Sequence, residues 1–326
     1  MAKFDIKDRE AIIPGWETEI NNGYSDNCFE LRSVVIPQSV KMIWNFGRCP
    51  NLTNIEISSS VTYIDPSAFE HCPRLSHISI SPDNSIYYSP DGCNAIIERK
   101  SEKLILGCQN TIIPPTVKII GSTAFWGCTG LDSINIPDSV VEIQEEAFRG
   151  CKGLEKITIP DSVTKIGENV FHGCSSLTDV ELSNKITEIP NSLFSSCTGL
   201  KSIGIPNSVK KIGNYAFSEC TSLRSIGIGD SVEEIGNYVF QGCTSLSSIA
   251  IPNWVKKIGF AFVDCPNMRL VCTKNAKLVD NTGLDSSVKI INPSARKSER
   301  ETWGKEELDL VIIYGLKYEL GRPVDK

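Results

Sequence analysis

Cysteine is the residue whose type and spacing most suggest chemistry here, since thiols form disulfides, bind zinc or act as nucleophiles. Among 13 cysteines in 326 residues, no Cys-x-x-Cys pair provides a zinc-like spacing. Ten share one position of a repeated motif, at intervals that are mostly 23 residues: Cys28, Cys49, Cys72, Cys128, Cys151, Cys174, Cys197, Cys220, Cys243 and Cys265. Equivalent side chains in stacked repeats project in parallel, which keeps their Cβ atoms too far apart to bridge. We predict a ladder of buried, inert thiols.

Cys93 and Cys108 lie outside this column and flank an insertion. A bridge between them is expected in an oxidising compartment, and free thiols are expected if the chain is cytoplasmic. The two alternatives stay open at the level of sequence.

The histidines do not complete a catalytic group. His71 and His172 precede the cysteine column in equivalent places, so we interpret them as exposed variable positions. A catalytic Cys–His pair needs a reactive thiol in a polar cleft, whereas this column belongs to a repeating core. Walker, G-x-S-x-G and H-E-x-x-H motifs are absent from the sequence. We predict that the chain is not an enzyme, and we expect neither a cofactor nor a metal site.

A second column carries charge that alternates in sign from repeat to repeat. It is the second variable position of a V-x-x-I segment and holds Glu142, Lys165, Glu188, Lys211, Glu234 and Lys257. Opposite charges stacked in this way disfavour a slip of one repeat, because the slip would bring like charges together. We interpret the column as control of register and solubility, with a ligand site as the alternative.

The same column is apolar toward the N-terminus, where it holds Met42, Tyr63 and Ile119. If these side chains are exposed, they form a patch typical of a protein-partner site. The alternative, which we favour, is that the insertion near residues 86–108 folds over and covers them.

The elements that must position these columns are repeats of 23 residues. In L-x-x-I-x-I the apolar residues alternate, which predicts a strand with one buried face. Proline follows where strand pairing stops, V-x-x-I-G predicts a second short strand, and A-F-x-G-C predicts one helical or 3₁₀ turn. One such coil cannot bury its apolar face alone, so stacking must complete the core. A phenylalanine column shows the repeat: Phe125, Phe148, Phe171, Phe194, Phe217 and Phe240.

The pattern LxxIxIPxSVxxIGxxAFxxC resembles the BspA-like class of leucine-rich repeats over roughly residues 31–275. The resemblance implies an α/β repeat solenoid, a right-handed superhelix with a parallel β-sheet on its concave face and short strands or helical turns elsewhere. It also implies a binding function, because members of this class often lie on microbial surfaces and bind host or matrix proteins.

The departures from the pattern predict four segments. Residues 1–30 are expected to form a degenerate capping coil, and residues 31–267 the solenoid, with a protruding β-hairpin near 86–108. Residues 268–292 are expected to form a C-terminal cap. Residues 293–326 are expected to be a charged linker and an amphipathic helix that docks on the solenoid, pairs with another chain or belongs to a longer helical module.

The concave sheet is the predicted binding face, because stacked repeats present an extended surface to partners. Its outward column holds Val35, Glu56, Ser79, Ile112, Asn135, Thr158, Glu181, Gly204, Gly227 and Ala250. The residues we select as the candidate site are Glu56, Asn135, Lys156, Thr158, Asp179, Glu181 and Trp254.

Composition restricts the partner classes. The net charge is −6, and no cluster of Lys and Arg suggests nucleic acid binding. No apolar run approaches the roughly 18 residues that a membrane span needs. The N-terminus lacks a signal peptide, which predicts a cytoplasmic protein, with a cell-surface or secreted protein as the alternative if a leader was removed. The expected function is binding of a protein or glycan; the alternative is an intracellular scaffold that joins the solenoid to a C-terminal helical module.

Overall fold

The structure is a computed structural model that describes residues 5–21, 28–46, 49–70, 72–274, 280–292, 302 and 304. The chain divides into two compact units, Met1–Ile186 and Thr187–Lys326. The predicted C-terminal helix and nearly all of the charged linker before it lie outside the described residues, as does His71.

The first unit is built from short strands that form two sets of sheets. Strands from the L-x-x-I-x-I segments form the first face, with sheet orders β1-β2-β4-β6-β8 and β14-β16, and strands from the V-x-x-I segments form the second face, with orders β3-β5-β7 and β15-β13-β12-β11-β10-β9. The strands are β1 (Asp5–Lys7), β2 (Glu10–Ile12), β3 (Glu19–Ile20), β4 (Ser33–Val35), β5 (Met42–Ile43), β6 (Asn54–Ile57), β7 (Tyr63–Ile64), β8 (His77–Ile80), β9 (Tyr87–Tyr88), β10 (Ile96–Glu98), β11 (Lys103–Leu106), β12 (Ile119–Ile120), β13 (Glu142–Ile143), β14 (Lys156–Thr158), β15 (Lys165–Ile166) and β16 (Asp179–Glu181).

The second unit repeats the arrangement. Its first face holds the orders β18-β20 and β22-β24-β25, and its second face holds β17-β19-β21-β23. Its strands are β17 (Glu188–Ile189), β18 (Ser202–Gly204), β19 (Lys211–Ile212), β20 (Ser225–Gly227), β21 (Glu234–Ile235), β22 (Ser248–Ala250), β23 (Lys257–Ile258), β24 (Leu270–Cys272) and β25 (Lys289–Ile291). Each unit is therefore a repeat solenoid of stacked strands. Among the described residues the strand pairs of the second unit are parallel, and those of the first are parallel apart from three antiparallel pairs, β1–β2, β9–β10 and β10–β11.

The core lies between the two faces and consists of the predicted columns. Phe148 is fully buried, and its ring stacks on Phe125 at 4.9 Å and on Phe171 at 5.6 Å between ring centroids. In the second unit, Phe217 stacks on Phe240 at 6.1 Å. Because each ring contacts the equivalent ring of the next coil, burial is completed by neighbours, as the repeat predicts.

The helical part of the predicted α/β class is not confirmed. Among the described residues the helical element is a single 3₁₀ turn, Cys28–Glu30. The segment expected to be helical is a series of turns with i→i+3 hydrogen bonds, such as Cys151 N–H to the Phe148 carbonyl at 3.2 Å. The physical reason is that two of its residues, Glu146 (φ 59°) and Gly150 (φ 70°), are left-handed, and a left-handed residue cannot continue a right-handed helix.

The insertion near 86–108 contains an antiparallel hairpin, β10–β11, whose strands belong to the sheet of the second face. β10 pairs antiparallel with β9 and with β11, and β11 pairs parallel with β12. The residues Ala95–Ile97 and Leu104–Leu106 are buried. The strands of the insertion therefore take the place of a repeat strand beside β12.

Candidate binding face

The first face of the first unit brings four of the predicted site residues together. β14 and β16 pair in parallel, with Lys156 opposite Asp179 and Thr158 opposite Glu181. Because side chains alternate along a strand, these four point outward while the central residues of both strands point inward. The Lys156 Nζ lies 3.0 Å from Asp179 Oδ2 and 3.9 Å from Glu181 Oε1. Thr158 donates a hydrogen bond of 2.9 Å to Glu181 Oε2.

The electrostatics of this network follow from exposure and charge. The side chains of Lys156, Asp179 and Glu181 are 55%, 55% and 60% exposed. The hydrogen bond to Asp179, and then the negative charges of Asp179 and Glu181, raise the pKa of Lys156. An exposed ion pair of this kind stabilises the fold weakly, so the network is free to exchange partners.

A depression of about 390 Å³ lies beside the network and includes the predicted residue Asn135. Ile112, which lines it, is 68% exposed, and most of the other lining residues are polar. The lining residues are Thr111, Ile112, Ile113, Ser133, Ile134, Asn135, Lys156 and Thr158.

The depression exists because the first face loses regular pairing at this point. Residues 133–135 form no strand and join β14 through one isolated bridge, Ser133 to Lys156. Ile134 is consequently half-buried, whereas its equivalent Ile157 is 1% exposed. Aliphatic side chains together with several polar groups are a usual lining of a binding site.

Glu56 lies elsewhere on the first face. It is exposed on β6, in the sheet that ends at β8, and it lines a separate depression of about 380 Å³ together with Val35, Ser79 and Ile80. Val35 is 55% exposed. The structure therefore places Glu56 at a second site and not in the Lys156 network.

Trp254 belongs to the second unit and is 62% exposed. It does not lie on a strand. It occupies the turn that closes with a hydrogen bond of 3.2 Å from Val255 N–H to the Pro252 carbonyl. The sequence assigned Trp254 to the concave-face site, whereas the structure places it in the turn between β22 of the first face and β23 of the second face.

The apolar residues Met42, Tyr63 and Ile119 do not form one patch. Met42 pairs with Tyr63 across β5 and β7, and the Tyr63 ring lies 4.6 Å from Trp44. Ile119 instead lies between Lys103 of β11 and Glu142 of β13. All three are half-buried. They do not form one patch because β5 and β7 belong to one sheet, whereas β12 belongs to another and pairs with β11 of the insertion.

The charge column has the predicted register. In the second unit Lys211 pairs with Glu188 on one side and with Glu234 on the other, and Glu234 pairs with Lys257. Among the described residues, none of the ion pairs within 4.0 Å joins members of this column. The column therefore aligns charges without fixed contacts.

The cysteine column is a buried ladder, as predicted. None of the column's cysteines whose side chains the structure describes is in a disulfide, and all of these are buried except the half-buried Cys265. Burial raises the pKa of Cys128, Cys174 and Cys220 to about 12, so these thiols are neutral and poor nucleophiles.

The ladder also makes hydrogen bonds that the sequence did not reveal. The Cys151 Sγ lies 3.0 Å from the Phe125 carbonyl oxygen, and the Cys174 Sγ lies 3.2 Å from that of Phe148. The thiol of one coil thus donates to the phenylalanine carbonyl of the coil before it. Cys93 and Cys108 are likewise free and buried.

His172 differs from the prediction of an exposed position. It is half-buried, and its Nδ1 is a buried atom without a hydrogen-bond partner among the described residues. Burial, followed by the charge of Arg149, lowers the pKa of His172. His77 is exposed on β8.

Five of the eight residues that line the depression were not selected from the sequence, and Ile112 and Ile134 are two of them. Ile112 carried a usable signal, because it is an aliphatic residue whose neighbours in the outward column, Ser79 and Asn135, are polar. Ile134 carried none, because its partial exposure results from the loss of pairing at residues 133–135.

The repeat pattern identifies the family. The profile described as "BspA type Leucine rich repeat region" matches in 6 copies over residues 10–94, 103–224 and 187–286. The chain belongs to the BspA-type leucine-rich repeat family. No curated protein matches it. Among the residues that the structure describes, none forms a helix with the length and apolar character needed to cross a membrane.

Solved structures of bacterial leucine-rich repeat proteins resemble this one. A leucine-rich repeat protein from Bacteroides ovatus ATCC 8483 is 31% identical, with a TM-score of 0.51 over 80% of this chain and 71% of that chain. A leucine-rich cell surface protein from Faecalibacterium prausnitzii A2-165 is 29% identical, with a TM-score of 0.51. The match covers 84% of this chain but only 62% of that protein. A leucine-rich repeat protein from Eubacterium ventriosum ATCC 27560, at 21% identity and a TM-score of 0.60 over 74% of this chain and 80% of that chain, shares the fold.

Proposed function

We propose that the chain is a non-catalytic binding protein that holds a protein partner on the first face of its first unit, around Ile112, Asn135 and Lys156. The observation that carries the proposal is the depression, where an aliphatic side chain is 68% exposed among mostly polar lining residues. Apolar anchors surrounded by polar groups are typical of protein interfaces. The cell-surface name of the Faecalibacterium relative supports a surface location.

A photo-crosslinking experiment tests this assignment. A benzophenone amino acid replaces Ile112 in one variant and Val141 in another. Val141 is a matched control, because it is an exposed aliphatic residue of the same unit (45% exposed) that directly precedes the second-face strand β13. Both proteins are exposed to extracellular proteins and to proteins of the producing cell, and adducts are identified by mass spectrometry.

The expected result is an abundant protein adduct at position 112 that is absent at position 141 and competed by unlabelled wild-type protein. Adducts at position 141 alone, or none at 112 from either protein source, would show that the first face of this unit is not the binding site. Adducts only with proteins of the producing cell would favour the intracellular scaffold.

A further inference from the structure

The charge of the first face is concentrated around the depression. The outward positions of its strands and their flanks over residues 132–181 carry four carboxylates and one ammonium group, and all five side chains are exposed. They are Asp132, Glu155, Lys156, Asp179 and Glu181. A surface with this imbalance attracts cationic groups and repels anionic ones.

Lys156 shows how a cation sits on this surface. Its Nζ lies between carboxylate oxygens of Asp179 and Glu181, at 3.0 Å and 3.9 Å. Because the pair is exposed, the ammonium group of a partner can replace the Lys156 ammonium at little cost. Lys156 is therefore an internal competitor for the same two carboxylates.

Ile112 supplies the second contact at a distance that an extended chain can span. Neighbouring coils lie about 4.8 Å apart, and Ile112 is three coils before Glu181, which gives about 14 Å. Residues four apart in an extended segment face the same side at a separation of about 13–14 Å. An apolar side chain on Ile112 and a basic one at the carboxylates therefore fit one extended segment.

We infer that the partner of this depression is an extended protein segment in which an aliphatic residue is followed, four residues later, by Lys or Arg. The aliphatic side chain packs on Ile112 and Ile134, and the basic side chain binds Asp179 and Glu181. This inference rests on the proposed function and specifies the chemistry of the partner. The charge of the face makes an acidic segment or an anionic glycan a poor ligand.

A defined peptide tests the inference. The probe is a fluorescein-labelled octapeptide with Val at positions 1 and 3, Lys at positions 5 and 7, and Thr at the even positions. Binding to the full chain is followed by fluorescence anisotropy at 20 mM and 300 mM NaCl. The expected result is saturable binding that weakens at the higher salt concentration, because exposed charges are screened. Peptides with Glu in place of Lys are expected not to bind, and those with Ser in place of Val are expected to bind more weakly.

Variants of the protein are expected to change affinity in opposite directions. Removing the carboxylates with Asp179→Asn and Glu181→Gln weakens binding about three- to tenfold, the effect of losing two exposed ion pairs. Lys156→Gln strengthens binding about two- to fivefold, because it removes the internal competitor. The charge-matched control is the double variant Glu145→Gln, Glu188→Gln. It removes the same two negative charges from the protein, but at exposed residues near or on strands of the second face.

The outcomes separate this inference from the proposed function. Equal binding by wild type and the Asp179/Glu181 variant, or weaker binding by Lys156→Gln, would overturn the inference. If the benzophenone at position 112 captures a protein whose crosslinked segment is acidic or lacks basic residues, the proposed function stands and the inference falls. If no protein is captured there, the proposed function itself fails.

Discussion

Replacing one ring of the phenylalanine column gives the most quantitative test of stacking between coils. Phe240 is fully buried, and its ring stacks on Phe217 at 6.1 Å and on Phe262 at 5.4 Å. Phe→Ala at a buried site costs about 3–5 kcal/mol. Phe240→Leu keeps most of the apolar volume and loses two stacked contacts, each of which contributes about 0.5–1.5 kcal/mol, so we expect a cost of about 1–3 kcal/mol.

A matched control separates stacking from burial. Tyr215 also stacks on the equivalent ring of the next coil, Tyr238, at 5.0 Å, but it is 41% exposed. Tyr215→Ala should therefore cost about 1 kcal/mol, the contribution of one stacked pair. The three variants are compared by urea unfolding followed by circular dichroism, with the slope m checked for constancy. The reasoning is refuted if Phe240→Ala costs no more than Tyr215→Ala.

Three further predictions follow from the columns. A Cβ on Gly236 would lie 2.7 Å from Asn214 Oδ1, which accepts a hydrogen bond of 2.8 Å from the Asn237 N–H. Gly236→Ala should therefore lower the free energy of unfolding by at least about 2 kcal/mol, measured by urea unfolding. Gly204→Ala is the control, because nothing lies within 4 Å of the added carbon, and it should be neutral or slightly stabilising. Burial raises the pKa of Cys174 from 9.0 to about 12, so as the pH rises this thiol ionises in the unfolded chain before it ionises in the folded one. The stability that the neutral thiol contributes is therefore complete below pH 9 and is lost between pH 9 and 12. Over that range the melting temperature of Cys174→Ala should fall less steeply than that of the wild type. Lys211→Glu places a third carboxylate between Glu188 and Glu234 and should cost less than about 1 kcal/mol at low salt and still less in 1 M NaCl, and a cost that does not change with salt would contradict the electrostatic interpretation.

Much of the fold could be predicted because each column repeats one physical requirement. The alternation in L-x-x-I-x-I predicts the outward Lys156 and Thr158 on either side of the buried Ile157, and the structure has this pattern in β14. The cysteine and phenylalanine columns follow from spacing alone, since a period of 23 residues places equivalent side chains above one another.

The conformation of the turns could not be predicted, because several of their left-handed residues are of types that rarely adopt left-handed backbone. Left-handed backbone is usually signalled by Gly or Asn, yet Glu146 and Tyr215 adopt it at φ 59° and 57°. Neighbouring coils hold these residues in place: Glu146 N–H donates to the Glu168 carbonyl at 3.0 Å, and Tyr215 N–H donates to that of Asn237 at 3.0 Å. Hydrogen bonds between coils therefore override the local preference.

The sequence predicted which residues of the candidate site lie on the first face, but it did not predict the depression beside them. Asn135, Lys156, Thr158, Asp179 and Glu181 follow from the outward positions of the strands. The depression itself depends on the irregular backbone at residues 133–135, whose sequence fits the repeat as well as its neighbours do. Nor could spacing show that β11 would pair with β12 and so separate Ile119 from Tyr63.

Hydrogen–deuterium exchange of the full chain, with and without the protein captured at position 112, tests the central claim most directly. The account predicts slower exchange of amides at residues 111–113, 133–135, 156–158 and 179–181 when the partner is bound. Protection confined to the second-face strands, or to the unit Thr187–Lys326, would contradict it.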